Sequence, residues 1–187
     1  MWRGKMHKKV FGILIVVFGL FSILYTPIES RFIMHVGEID LRISLLDVTI
    51  SLTKKQHILS FGILSILLLN HLLYEKSRYL KVFLWIFGFS VLVEGIQIFF
   101  VQGHFRLRDL ISNIVGIVFS IFMFKRLEKH LKKASGLKTV LINMIIITVH
   151  ILFTITVYYV FKEISVMLGG ESLRKYLEDS HIHQDII

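Results

Sequence analysis

Cysteine is absent from this 187-residue chain, and proline occurs once, at position 27. Without thiols there is no disulfide framework, no thiolate nucleophile and no cysteine-ligated metal. With a single proline, long helices meet few covalent breaks. Acidic residues are also scarce: 13 Asp and Glu stand against 22 Lys and Arg, a formal charge of +9. In a soluble chain that excess suggests nucleic acid. Here the basic residues lie between long apolar blocks, where the cytoplasmic loops of membrane proteins collect them. Nucleic acid is therefore not an expected partner, whereas membrane lipids are.

Apolar residues are what the chain has in quantity. They make up 55% of it, 16 of them Phe, with a mean hydropathy of +0.71. A soluble domain of this length cannot hide so much apolar surface in one core. The apolar residues also come in long runs rather than an amphipathic rhythm, as in helices solvated by lipid. Five blocks stand out: Val10–Tyr25, Ile58–Tyr74, Leu80–Val101, Leu110–Phe124 and Thr139–Phe161. A crossing takes about 20 residues. The third and fifth blocks reach that length, and the first and fourth borrow flanking residues. The expected fold class is all-α, a polytopic transmembrane helix bundle of about five spans occupying residues 1–161. Residues 162–187 are expected to form a polar extracytoplasmic tail with a short helix over Ser172–Asp179, after Gly169-Gly170.

Basic residues Arg3, Lys5, Lys8 and Lys9 precede the first block, and no small-residue cleavage site follows it, so an uncleaved anchor is expected rather than a signal peptide. Placing the N-terminus inside puts 13 of the 22 basic residues in short inner segments close to the spans, six of them between Lys125 and Lys138. The positive-inside rule then gives N-terminus in and C-terminus out. Residues 28–56 are expected along the outer surface, with Leu45–Leu52 interfacial or re-entrant. The closing His181-Ile-His183 reads as solvated, and the sequence assigns no metal and no cofactor.

Ionisable groups inside a span cost free energy and mark function or a necessary pairing. In this topology they converge on one side. His57 opens the second span. Glu94 lies on the third, with Gln97 at i+3 on the same face. Arg106, Arg108 and Asp109 stand at the mouth of the fourth, and Asn113 is one turn deeper. Glu94 must be protonated, paired with Arg106 or Arg108, or facing a wet cavity. Asp109 has a plainer role open to it as a helix cap, and Asn113 as interhelical glue. Ser112, Gly116 and Ser120 recur every four residues and read as a close-packing ridge. His150, mid-span in the fifth helix, reads as a hydrogen-bonded packing residue.

The run Glu94-Gly-Ile-Gln97, followed by Asp109-Leu-Ile-Ser-Asn113-Ile-Val-Gly116, resembles the VanZ-like membrane protein family. That family carries E-x-x-Q on one span and D-x-x-x-N-x-x-G opening the next, and Lys54-Lys-Gln-His57 is similar to its Lys-x-x-His. The resemblance covers residues 54–120. The chain departs from the family in having Thr53 before that Lys, and Arg at positions 106 and 108 where acidic residues are common. The resemblance implies a bacterial cell-envelope protein linked to glycopeptide (teicoplanin) tolerance, and it supplies no reaction.

The leading functional expectation is binding or handling of an anionic lipid, or a lipid-linked precursor, at the outer leaflet. His57, Glu94, Gln97, Arg106, Arg108, Asp109 and Asn113 would form the site, with the arginines on phosphate. The alternatives are an intramembrane enzyme using His57, Glu94 and Asp109, and an accessory subunit of a transporter.

Overall fold

The computed structural model describes residues 39–40, 43–100 and 105–182, with side chains from 43 to 95 and from 107 to 169. The expected first span, Val10–Tyr25, lies outside the described residues. The described regular structure is helical apart from one two-residue parallel pairing, β1 (Ile39–Asp40) with β2 (Phe105–Arg106), in the register Ile39 to Phe105 and Asp40 to Arg106. Between these lie α1 (Leu45–Leu52), α2 (Lys55–His71) and α3 (Arg78–Phe100). After β2 come α4 (Leu107–Lys133) and α5 (Leu137–Ile182).

α1 begins with a reciprocal cap. Ser44 Oγ accepts from the Asp47 amide at 3.0 Å, and Asp47 Oδ2 accepts from the Ser44 amide at 3.1 Å. Such a capping box satisfies two amides that a helix start otherwise leaves bare, a contribution of about 1 kcal/mol. At Lys54 the chain leaves helical geometry, and α2 sets off at 66° to α1. The stretch expected to be interfacial or re-entrant is therefore a discrete short helix, bent sharply against the one that follows.

Four of the expected spans coincide with helices, each shifted at its ends. α2 begins three residues before the expected block because Lys55, Gln56 and His57 form its polar first turn. α4 runs past Phe124 to Lys133, since the basic stretch is made of good helix formers. α5 departs most from expectation. It continues unbroken through Gly169-Gly170 to Ile182, so the expected tail helix is the far end of one 46-residue helix. A helical glycine costs about 1 kcal/mol, which is too little to stop a helix already propagating with no proline after it.

α2 is the central element and packs against α3, α4 and α5. Phe61, Leu64, Ile66 and Leu69 of α2 form the main core with Val82 and Ile86 of α3, Ile117 and Phe124 of α4, and Ile146 of α5. Two glycines set how closely the helices approach. A Cβ on Gly116 of α4 would lie 2.2 Å from the Ile58 carbonyl oxygen, and one on Gly62 of α2 would lie 1.9 Å from His150 Nε2. His150 is wholly buried; its ring nitrogens lie 3.1 Å from the Ile58 carbonyl oxygen and 3.3 Å from Ser120 Oγ. Ser120 Oγ in turn donates to the Gly62 carbonyl at 3.0 Å. Residues 112, 116 and 120 thus form the contact ridge of α4.

The outward faces are apolar. Trp85 and Leu92 on α3, Phe122 on α4, and Leu141, Met144, Leu152 and Tyr159 on α5 are all exposed. Exposure of this extent suits lipid rather than water. By length and composition α4 and α5 can each cross a membrane, and the bent α1–α2 pair makes a third candidate. The fold is that of a helical membrane protein.

Candidate functional site

The chain reverses direction between α2 and α3 and again between α3 and α4. The first turn of α2, the later half of α3 and the first turn of α4 therefore meet at one end of the bundle. They bring Lys54 and His57, Ser90 and Glu94, and Asp109 and Asn113 together.

The contacts form a chain. Lys54 Nζ donates to both carboxylate oxygens of Asp109, each at 2.6 Å. His57 Nδ1 lies 3.0 Å from Asn113 Oδ1 and 3.6 Å from Glu94 Oε1. The Asn113 amide nitrogen donates to Ser90 Oγ at 2.7 Å, which fixes its carbonyl oxygen toward the histidine. Glu94 and Asn113 are fully buried, and Asp109 is 5% exposed. One ring nitrogen of His57 and one oxygen from each of Glu94 and Asp109 lie within 4.8 Å of one another.

A second polar layer holds α1 against α4. Arg108 pairs with Asp47, the same carboxylate that caps α1. Ser51 Oγ donates to the Arg108 carbonyl, and Ser112 Oγ donates to the Ser51 carbonyl at 2.5 Å. Short hydroxyl side chains let the two backbones approach while satisfying their polar atoms.

Of the residues expected at the site, His57, Glu94, Asp109 and Asn113 lie together. Arg108 is nearby but turned to Asp47, so of the alternatives open to Glu94, pairing with Arg108 is not the one taken; Glu94 lies beside His57. The side chains of Gln97 and Arg106 lie outside the described residues. Asp109 does stand in the first turn of α4, yet its carboxylate is spent on Lys54 rather than serving only as a cap. Sequence reasoning did not include Lys54, Ser90 or Asp47 in the site. The signals were present: Lys54 precedes His57 by three, and Ser90 precedes Glu94 by one helical turn, on the same face.

The described charged side chains here are Lys54, Arg108, Asp47, Glu94 and Asp109, together with His57. With His57 neutral and the rest charged, the group carries one excess negative charge. Such a cluster can hold a cation, shuttle a proton between His57 and Glu94, or exchange its internal ion pairs for a ligand's charges. Compared with known protein families, characterised proteins and solved structures, the chain matches none.

Proposed function

We propose that this chain is a VanZ-like, multi-pass protein of a bacterial plasma membrane, with five spans, N-terminus in and C-terminus out. In this reading it binds the head group of an anionic lipid, or of a lipid-linked wall precursor, at the outer leaflet. One observation carries the reading: three helices of an apolar bundle bury a connected polar cluster at one end, where Lys54 and Arg108 are each held by a carboxylate. Those paired cations are the groups a phosphate takes over when it enters. Charge-assisted contacts of this kind contribute about 1.5–3 kcal/mol each. Glu94, His57 and Asn113 shape the floor beneath.

The test uses the full chain in nanodiscs containing phosphatidylglycerol among phosphatidylcholine. Wild type is expected to retain phosphatidylglycerol preferentially, and the Lys54→Gln/Arg108→Gln variant to lose that preference by about tenfold. Equal retention by both proteins overturns the reading. Recovery of cleaved lipid would instead favour catalysis by His57, Glu94 and Asp109, whose grouping suits acid–base work. Reporter fusions test the sidedness: a fusion after Lys138 should report the cytoplasm, and one after His104 the outside. The reverse result moves the site to the inner leaflet.

A further inference from the structure

We propose that His57, Glu94 and Asp109 bind one divalent transition-metal ion of the Zn2+ or Mn2+ class, with Asn113 Oδ1 as a fourth donor. This deepens the head-group reading and rests on the cluster being a ligand site. The ion would supply the positive charge that the phosphate meets.

Geometry comes first. Donors on a single ion at bond lengths of about 2.0–2.2 Å sit roughly 3.0–3.6 Å apart when adjacent. The His57 Nδ1 separations of 3.0 Å to Asn113 Oδ1 and 3.6 Å to Glu94 Oε1 fall in that range, and the three titratable donors lie within 4.8 Å of one another, so the Asp109 carboxylate shifts toward the ion to bind it. The three come from three different helices, α2, α3 and α4, so an ion here ties the end of the bundle together.

The second argument concerns lone pairs. Asn113 Oδ1 is aimed at His57 Nδ1 because the amide nitrogen is committed to Ser90. A carbonyl oxygen facing an imidazole nitrogen needs a positive centre between them, either a proton on Nδ1 or a metal bound by both. Exchanging that proton for an ion keeps the His57–Asn113 approach and the Asn113–Ser90 hydrogen bond in place. The Asn113–Ser90 hydrogen bond then acts as outer-shell support for a ligand.

Charge and ligand type narrow the ion. The described cluster has one excess negative charge, which a divalent ion turns into one excess positive charge. An imidazole among the donors disfavours Mg2+ and Ca2+, which prefer oxygen alone, and favours Zn2+, Mn2+ or Fe2+. Lys54 completes the picture. Its ammonium holds Asp109 through both oxygens, and its side chain is 27% exposed on a flexible stem. It can keep one oxygen and release the other to the ion.

The experiment is equilibrium dialysis of the untagged full chain in detergent, stripped with chelator and then supplied with Zn2+ or Mn2+, with bound metal counted by elemental analysis. One ion per chain is expected. Glu94→Gln and Asp109→Asn are each expected to weaken binding at least tenfold, whereas His181→Ala/His183→Ala leaves it unchanged. Wild type loaded with Co2+ should show the visible absorption of nitrogen and oxygen ligation, a readout that holds even if a variant fails to fold. Less than a tenth of an ion per chain, or binding abolished by the tail substitutions alone, overturns the proposal. The dialysis is done without lipid, so the two readings fail separately. Lipid retention without metal binding removes only the ion, and metal binding without lipid preference removes only the head group.

Discussion

Lys54 and Asp109, 55 positions apart, meet through both carboxylate oxygens at 2.6 Å and join the break before α2 to the first turn of α4. The two partners are unequally placed. Asp109 is buried, whereas the Lys54 side chain reaches solvent along part of its length.

That inequality predicts an asymmetric mutant cycle. Lys54→Met strands a buried carboxylate and should cost more than Asp109→Asn, which leaves an ammonium that can turn toward water. Breaking a fully buried pair costs about 3–5 kcal/mol. With Lys54 partly exposed, the expected loss for Lys54→Met is about 1–3 kcal/mol, screened by solvent. The double variant should resemble Asp109→Asn alone. Unfolding in detergent by calorimetry or denaturant measures all four proteins, and strict additivity would show that the pair is uncoupled.

The two close-approach glycines should behave differently from one another. Gly62→Ala drives a methyl into the His150 ring, a side chain that a second change can remove, so Gly62→Ala/His150→Ala should recover much of the lost stability. Gly116→Ala meets the Ile58 backbone carbonyl, which has nothing to trim. Overpacking of this kind typically costs about 1–3 kcal/mol, and Gly116→Ala should lie at the high end. It should also loosen the His57–Asn113 contact one turn away. Thermal midpoints in detergent, read beside the metal count, test both expectations.

Acid should weaken the opposite end of the bundle. Glu128 lies a turn beyond the apolar run of α4, where Lys132 at 2.5 Å, the Tyr79 hydroxyl and Arg78 all bind its carboxylate. These contacts hold its pKa down to about 2 from an ordinary 4.5, the Lys132 contact being the largest cause. A depressed carboxylate stabilises the fold at pH above its unfolded value and loses that contribution as pH falls through the folded one. The loss should therefore accumulate between about pH 4.5 and 2. Glu128→Gln should flatten that part of a stability–pH curve, and an unchanged curve would show that the contacts carry no net stability.

The sequence exposed the helices well because apolar runs in this chain are long and their ends are charged. Leu45–Leu52 stood out as a separate stretch because it is short, largely apolar and bounded by the polar Ser44 and Thr53. Runs alone could not show that Gly169-Gly170 lies within a helix, because local preference is weak against a helix already under way. At the site, His57, Glu94, Asp109 and Asn113 were legible as costly residues in apolar surroundings. Their partners were not. Which of Arg108 or Lys54 takes which carboxylate depends on the 66° bend between α1 and α2, and that bend leaves no mark in composition.

The contact of Gly116 with the Ile58 carbonyl sets how closely α4 lies on α2. With backbone against backbone at that point, a slide of α4 along α2 would push a neighbouring side chain into the carbonyl. Deeper in the bundle, Ser120 joins α4 to His150 of α5 and to the Gly62 carbonyl of α2. Four residues before Ile58, about 6 Å along the helix, Lys54 and Asp109 form a clasp between the same two helices. Glycine and clasp therefore fix the spacing of α2 and α4 at two levels, one by lacking a side chain and the other by joining two.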